Sequence, residues 1–300
     1  MKIRANGLDI EVDDQGPRDG EPLLLIMGLG MQLIAWPQEL VDALVARGFR
    51  VIRMDNRDIG LSQGFDHLGT PSMVSTMLRY TFRMAVPSPY RLADMAEDAR
   101  GVLDALGIAR AHVCGASMGG MIAQHLAATH PDRVSSLVLI MTTSGARGLP
   151  QASPAVRRAL ISRPPAYDVD AIVAHVERVL HVIGSPGYRP ADPALQRSRL
   201  EASVRRSWHP QGTARQLTAI VADGDRSPML ARITAPTRVL HGQDDPLVPV
   251  PSAHDLADKI AGSQIDIIPG MGHDLPLQLM PRIATSVAAN AARRPAAPQG

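Results

Sequence analysis

Two residue types are scarce in this 300-residue chain, which has one cysteine and two lysines. The single cysteine, Cys114, excludes an internal disulfide and fits a reducing compartment. Long apolar runs are also missing: the N-terminus has no apolar leader segment, and no run of about 18 apolar residues occurs. We therefore expect no membrane span and a cytoplasmic location.

Charge of one sign is not in excess either. The chain has 31 basic and 29 acidic residues, with no block of Lys and Arg that would follow a phosphate backbone. It also lacks the HExxH and CxxC patterns of common metal sites. We therefore expect no nucleic-acid partner and no metal. The hydrophobic content of 45% and charged content of 20% are typical of a globular protein.

Short apolar runs alternate with helical patterns, which predicts an α/β protein with a mostly parallel sheet covered by helices. Between about residues 145 and 232 the strand patterns vanish and amphipathic helical stretches follow one another. This predicts a core formed by residues 1–144 and 233–292 and an inserted helical cap, with a disordered tail at 293–300. The stretch 70–90 is long for a connection, and we expect it to cover the site or to form the contact of a homodimer.

The stretch GASMG, residues 115–119, joins a predicted buried strand to a predicted helix. It matches the pattern G-x-S-x-G, in which a sharp strand-to-helix turn exposes a serine hydroxyl. The turn strains the serine backbone, and the flanking glycines leave room for it. Ser117 is therefore the candidate nucleophile; the alternative is a solvated serine in a glycine-rich turn.

A serine hydroxyl needs a base to take its proton, and the base histidine needs a carboxylate to orient it. Both residue types occur late in the chain, just after predicted strands: Asp244 and Asp245 in HGQDDPLVP, and His273 in PGMGHDLP. Loops after the carboxyl ends of parallel strands share one edge of the sheet, so these side chains can converge with Ser117. Since the two aspartates are adjacent, we expect only one to face His273.

The tetrahedral intermediate of acyl transfer needs two N–H donors for its oxyanion. The backbone N–H of Met118, directly after the candidate nucleophile, is one. The second candidate is the N–H of Leu29, because Gly28 and Gly30 let the backbone of that loop approach closely. The same glycines could open a dinucleotide-binding G-x-G-x-x-G, but Leu33 stands at the third glycine position.

Four parts of the chain together resemble the α/β-hydrolase fold superfamily: LLLIMGLG, IRMDNRDIGLS, CGASMGG, and HGQDDPLVP with PGMGHDLP. The resemblance extends from about residue 8 to about residue 290. It implies an eight-stranded sheet with a helical cap over the active site. It also implies Ser117 as nucleophile and His273 as base, with Asp245, three residues after Gly242, as acid and Asp244 as the alternative.

The sequence departs from the commoner family pattern at two positions. Met27-Gly28 replaces the His-Gly that many relatives carry before the oxyanion loop, and Ala116 stands where many have a histidine. With Trp36 and the charged segment 55–57, the Met-Gly variant is similar to the branch that contains polyketide methylesterases of the aclacinomycin type. The residues expected to line the pocket are Gly28, Gly30, Trp36 and Met141.

The resemblance implies a serine hydrolase that cleaves carboxylic esters of small to medium apolar substrates through an acyl-enzyme. Its partner is a small-molecule ester, and it needs no cofactor. The same residues would also serve a lactonase, a carbon–carbon bond hydrolase, a perhydrolase or an acyltransferase. A non-catalytic ligand-binding member of the fold would use the same pocket as a receptor.

Overall fold

The computed structural model describes residues 1–293 and contains one eight-stranded sheet with helices on both faces. Of the tail predicted at residues 293–300, all but Arg293 lies outside the described residues. The strands are β1 (Lys2–Ala5), β2 (Leu8–Gln15), β3 (Glu21–Ile26), β4 (Phe49–Met54), β5 (Ala111–Ala116), β6 (Val134–Ile140), β7 (Thr237–Gly242) and β8 (Gln264–Ile268). The helices are α1 (Gln38–Val45), α2 (Met73–Thr81), α3 (Leu92–Ala105), α4 (Met118–Thr129), α5 (Pro154–Leu160), α6 (Val169–Ile183), α7 (Pro193–Arg206), α8 (Pro210–Asp223), α9 (Ser227–Leu230), α10 (Pro251–Lys259) and α11 (Met280–Ala291).

The strand order across the sheet is β1-β2-β4-β3-β5-β6-β7-β8. β2 pairs antiparallel with β1 and β4, and all other pairings are parallel. The predicted eight-stranded, mostly parallel sheet is therefore confirmed. The β1–β2 hairpin turns at Asn6 and Gly7, whose φ angles of 49° and 74° suit a two-residue hairpin turn.

Each face of the sheet carries its own group of buried apolar side chains. One group includes residues of α3, α4 and α10, and the other includes residues of α1 and α11. Strands β5 (AHVCGA) and β6 (VSSLVLI) are buried on both faces, which explains why neither shows a strict alternation of apolar and polar residues in the sequence. The carboxyl ends of β3 to β8 all meet at one edge, which is where ligand sites of such sheets form.

Helices α5 to α9 lie between β6 and β7, in the region where the sequence predicts an inserted cap. The boundaries of that cap at residues 145 and 232 stay a prediction. Among residues 1–293, no helix has the length and apolar character needed to cross a bilayer.

Two elements differ from the sequence-based expectation. The stretch 70–90, expected as a connection, contains α2, in which Val74 and Leu78 are exposed and only Thr76 is buried. Its apolar residues Met73, Val74, Met77 and Leu78 do recur at helical spacing, but most of this stripe is exposed in the structure. The sequence predicts the last helix from about residue 275 to about residue 290, but it begins at Met280, because a short 3₁₀ turn at Leu277–Leu279 precedes it.

A buried ion pair fastens α8 of the cap to the edge of the sheet. Arg215 donates from Nε and Nη2 to the two carboxylate oxygens of Asp58, at 2.7 Å each, and neither side chain is exposed. The Tyr90 hydroxyl donates to the same carboxylate at 2.8 Å, and Arg215 also donates to Asp66. The hydrogen bonds to Asp58 raise the pKa of Arg215, so the guanidinium stays charged.

We expect Arg215→Met to lower the free energy of unfolding by roughly 3–5 kcal/mol, because it leaves the Asp58 carboxylate buried without its cation. The matched control is Arg205→Met, which removes a 63%-exposed arginine of α7 that pairs with Glu201 of that helix. It should lower the free energy of unfolding by less than about 1 kcal/mol. Urea unfolding followed by circular dichroism measures both. Equal midpoints for the two variants would contradict the role of the buried pair.

Candidate active site

Ser117 lies on the turn between β5 and α4 and has a strained backbone. Its φ and ψ are 53° and −119°, a region that residues with side chains rarely occupy. Its N–H donates to the Ile140 carbonyl at 2.9 Å, and its own carbonyl accepts from the Thr142 hydroxyl at 2.7 Å. These bonds tie the turn to the end of β6 and hold the side chain at the edge of the sheet.

The glycines on either side of Ser117 are required by close backbone contacts. A Cβ on Gly119 would overlap the Ile26 carbonyl oxygen at the end of β3, and a Cβ on Gly115 would overlap the carbonyl of Gly119. The turn is therefore built from two strands and a helix start that approach more closely than side chains allow. This explains the glycine at each end of the G-x-S-x-G pattern.

His273 connects Ser117 with Asp245. Its Nε2 lies 3.0 Å from the Ser117 Oγ, and its Nδ1 lies 2.7 Å from Oδ2 of Asp245. The other carboxylate oxygen of Asp245 accepts from the backbone N–H groups of Leu247 and Val248, at 2.9 and 2.8 Å. The carboxylate is fully buried, so its orientation is fixed by these bonds.

Asp244, the alternative acid, faces another partner. It is exposed, and its Oδ2 accepts from the Gly270 N–H at 2.8 Å, while its own N–H donates to the Met271 carbonyl. Asp244 therefore joins the loop after β7 to the loop after β8. The structure brings Asp245, and not Asp244, to His273.

The loop after β3, residues 27–31, passes directly beside Ser117; we call it the oxyanion loop. A Cβ on Gly28 would lie 3.2 Å from the Ser117 Cβ and 3.7 Å from its Oγ. Among residues 1–293, neither the N–H of Leu29 nor that of Met118 donates to a protein acceptor. Met118 is also the first residue of α4, where the helix dipole favours negative charge.

The four expected pocket residues occupy different environments. Met141 directly follows β6 and, like Ser117, has a left-handed backbone, with φ of 42°. Gly30 lies against Thr213 of α8, and Gly28 lies against Ser117. Trp36 is fully buried among the apolar side chains beneath α1. The part that these residues play in a substrate pocket stays a prediction.

Comparisons with known proteins place this geometry in a family. Residues 21–278 match the family described as the alpha/beta hydrolase fold. The chain belongs to the α/β-hydrolase family.

The similarity extends over almost the whole chain. Rhodomycin D methylesterase DauP from Streptomyces sp. (strain C5) is 31% identical over 290 residues, which cover 90% of each chain. The 2-hydroxymuconate semialdehyde hydrolase of Pseudomonas sp. (strain CF600) is 29% identical and covers 95% of this chain and 91% of its own length. The crystal structure of a hydrolase from Pseudomonas aeruginosa PA01 is 25% identical, with a TM-score of 0.69 and 98% of both chains covered. These findings confirm the predicted resemblance to the methylesterase branch of the α/β-hydrolases.

Two cap residues that the sequence did not single out hold the loop that carries His273 in this α/β-hydrolase. The Ile183 carbonyl accepts from the His273 N–H at 2.7 Å, and the Ser185 hydroxyl accepts from the Gly272 N–H at 2.8 Å. The same hydroxyl donates to the carboxylate of Asp274, and burial raises the pKa of that carboxylate. No local pattern marks Ser185, because its partners lie 87 and 89 residues away.

A third unpredicted residue, Gln216 of α8, contacts the oxyanion loop. Its Oε1 accepts from the Gly30 N–H at 2.9 Å, and its Nε2 donates to the Arg57 carbonyl at 2.9 Å. The side chain is fully buried. From the sequence, Gln216 is one polar residue within an amphipathic helix.

Two other groups could suggest chemistry, the Cys114 thiol and a cluster of possible metal ligands, but their surroundings give each a structural explanation. Burial raises the pKa of Cys114 to about 12, so its thiol stays protonated near neutral pH. Ligating atoms of Asp58, Asp66 and His209 lie within 4.8 Å of one another. However, the Arg215 guanidinium already donates to both carboxylates and supplies the positive charge there.

We expect Gly119→Ala to lower the free energy of unfolding by about 1–3 kcal/mol, because the new Cβ meets a backbone carbonyl that β3 holds in place. Gly148→Ala is the matched control: this glycine is exposed, has no neighbour within 4 Å of a Cβ and has no left-handed φ. Urea unfolding of both variants gives the comparison. A Gly119→Ala midpoint equal to that of the wild type would refute the close-contact explanation.

Proposed function

We propose that this α/β-hydrolase cleaves carboxylic esters through an acyl-enzyme, with Ser117 as nucleophile, His273 as base and Asp245 as acid. The observation that carries the proposal is the position of the His273 ring, which contacts the Ser117 hydroxyl through Nε2 and the Asp245 carboxylate through Nδ1. That arrangement is the one that serine hydrolases on unrelated folds use.

The proposed reaction begins when Ser117 Oγ attacks the ester carbonyl and its proton passes to Nε2 of His273. Asp245 holds the imidazole with Nδ1–H pointing to the carboxylate and stabilises the imidazolium that forms. The tetrahedral intermediate collapses, the carbon–oxygen bond of the ester breaks, and His273 gives the proton to the leaving alcohol. Water, deprotonated by His273, then attacks the acyl-enzyme, the bond between the acyl carbon and Oγ breaks, and His273 returns the proton to Ser117 Oγ as the acid leaves.

The charge on the carbonyl oxygen is proposed to be held by the N–H groups of Leu29 and Met118. Both amides lack a protein acceptor among the described residues, and the backbone of Gly28 passes within contact distance of Ser117. Donors that are fixed before the reaction cost no reorganisation when the charge develops. The proposed steps use only groups of this chain and water.

The proposed substrates are carboxylic esters of small to medium apolar molecules. The 31% identity with rhodomycin D methylesterase DauP supports an ester, and a methyl ester in particular. A lactone, a carbon–carbon bond, peracid formation or acyl transfer would use the same three side chains. Rates measured side by side on methyl esters, longer-chain esters and lactones separate these alternatives. The cytoplasmic location and the homodimer stay predictions.

Ser117→Ala should lower turnover of an activated ester by roughly 10⁴- to 10⁶-fold, because the acyl-enzyme can no longer form. A fluorophosphonate probe should label the wild type once, at Ser117, and should not label Ser117→Ala. Mass spectrometry locates the label. Wild-type protein that is neither labelled nor active on esters would instead favour a non-catalytic binding protein, and a fully active Ser117→Ala would refute the nucleophile.

Asp245→Asn and Asp244→Asn form a matched pair that tests which aspartate is the acid. Asp245→Asn should lower kcat by roughly 10⁴-fold, because an amide facing Nδ1 favours the wrong tautomer of His273. Asp244→Asn keeps an oxygen that can accept from the Gly270 N–H, so its kcat should stay near that of the wild type. Steady-state kinetics on one ester decides, and a larger loss in Asp244→Asn would reverse the assignment.

A further inference from the structure

The oxyanion loop contains a β-turn whose central peptide has one side-chain partner. The Met31 N–H donates to the Gly28 carbonyl at 3.2 Å, which closes a turn over residues 28–31. Gly30, at the third position of the turn, has φ of 68°, as a type II turn requires. The peptide between Leu29 and Gly30 is the central one, and its N–H is the group that Gln216 binds.

The central peptide of such a turn can adopt two orientations. Turns of types I and II differ by a flip of this peptide, and glycine at the third position tolerates both forms. A flip would turn the Gly30 N–H away from Gln216 and so release the turn from α8, which would let the turn shift together with the neighbouring Leu29 N–H that we assign to the oxyanion. Something outside the turn must therefore hold the peptide in one orientation.

The remaining contacts of the loop lie on either side of this peptide. Asn56 donates to the Met27 carbonyl at 2.8 Å, and Asp55 accepts from the Leu33 N–H at 2.7 Å. Both partners follow β4, so they anchor the two ends of the loop to the sheet. The bond from Gly30 to Gln216 is the contact that comes from the cap.

We propose that Gln216 is a positioning residue for the oxyanion loop: the cap helix α8 anchors the Leu29–Gly30 peptide and thereby holds the adjacent Leu29 N–H in position. The inference rests on the proposed function of Leu29. Gln216 is suited to this task because its Nε2 is held in turn by the Arg57 carbonyl after β4. The amide bridges two segments of the core and has no exposed surface through which it could move into solvent.

Gln32 provides the matched control. Its side chain also joins the core to the cap, donating to the carbonyls of Ser203 and Ser207 at 2.7 and 2.8 Å and accepting from Arg206. It makes no bond to the Leu29–Gly30 peptide. Gln32→Met and Gln216→Met therefore remove similar cap contacts, but only Gln216→Met releases the peptide.

Gln216→Met should lower kcat about 10- to 100-fold on an ester with KM nearly unchanged, because a misdirected donor weakens binding of the transition state more than that of the substrate. Its inhibition constant for a trifluoromethyl ketone, which forms a tetrahedral adduct with serine, should weaken by the same factor. Gln216→Glu keeps an oxygen for the Gly30 N–H but loses the donor to the Arg57 carbonyl, so its kcat should lie between those of Gln216→Met and the wild type. Gln32→Met should retain kcat, even where its thermal midpoint falls as far.

A second measurement follows the peptide directly. In protein carrying ¹⁵N-glycine, the Gly30 amide should exchange with solvent faster in Gln216→Met than in the wild type or in Gln32→Met. Equal kcat losses in the two Met variants, or an unchanged Gly30 exchange rate, would overturn the inference. An inactive, unlabelled wild type would contradict the proposed function instead, and the exchange rates would still report on the contact. Should Gln216→Met fail to fold, Gln216→Ala, with Gln32→Ala as its control, provides the same comparison.

Discussion

The close approach of three backbones at the β5–α4 turn determines the geometry of the site. The Cα of Gly119 lies against the Ile26 carbonyl, and that of Gly115 lies against the carbonyl of Gly119. The end of β3, the end of β5 and the start of α4 are thereby fixed to one another. Because the oxyanion loop leaves β3 one residue after Ile26, its distance from Ser117 follows from this packing. The strain at Ser117 is accepted because the surrounding contacts leave the backbone no alternative.

The cap contributes contacts that hold parts of this site in place. Separate cap elements bind separate core loops: Gln216 binds the oxyanion loop, and the end of α6 binds the loop that carries His273. Two buried acids of the core also pair with arginines of the cap: Asp58 with Arg215, and Asp55 with Arg206. Burial raises the pKa of Asp55, because the carboxylate loses its hydration there. A cap fastened by charges in such surroundings will not move freely without breaking costly contacts.

Patterns within short stretches of sequence predicted most of the strands and the convergence of Ser117, Asp245 and His273. Both depend on local properties: strand burial, the glycines of one turn, and the rule that loops after parallel strands share an edge. The cap contacts could not be predicted in this way. Gly30 and Gln216 are 186 residues apart, and a polar residue on an amphipathic helix carries no mark of its distant partner. Helix α2, by contrast, has apolar residues at helical spacing that the sequence could have shown, although most of them are exposed in the structure.

One further side chain shows how burial protects the charge pairing in the triad. His241, on β7, lies 3.7 Å from Asp245 and is fully buried, and burial lowers its pKa. Its Nε2–H donates to the Val248 carbonyl at 2.8 Å, and its Nδ1 has no partner among the described residues, which suits a neutral ring. A charged imidazole at that position would compete with His273 for the Asp245 carboxylate. Because His241 stays neutral, the negative charge of Asp245 remains available to the imidazolium that the proposed mechanism forms on His273.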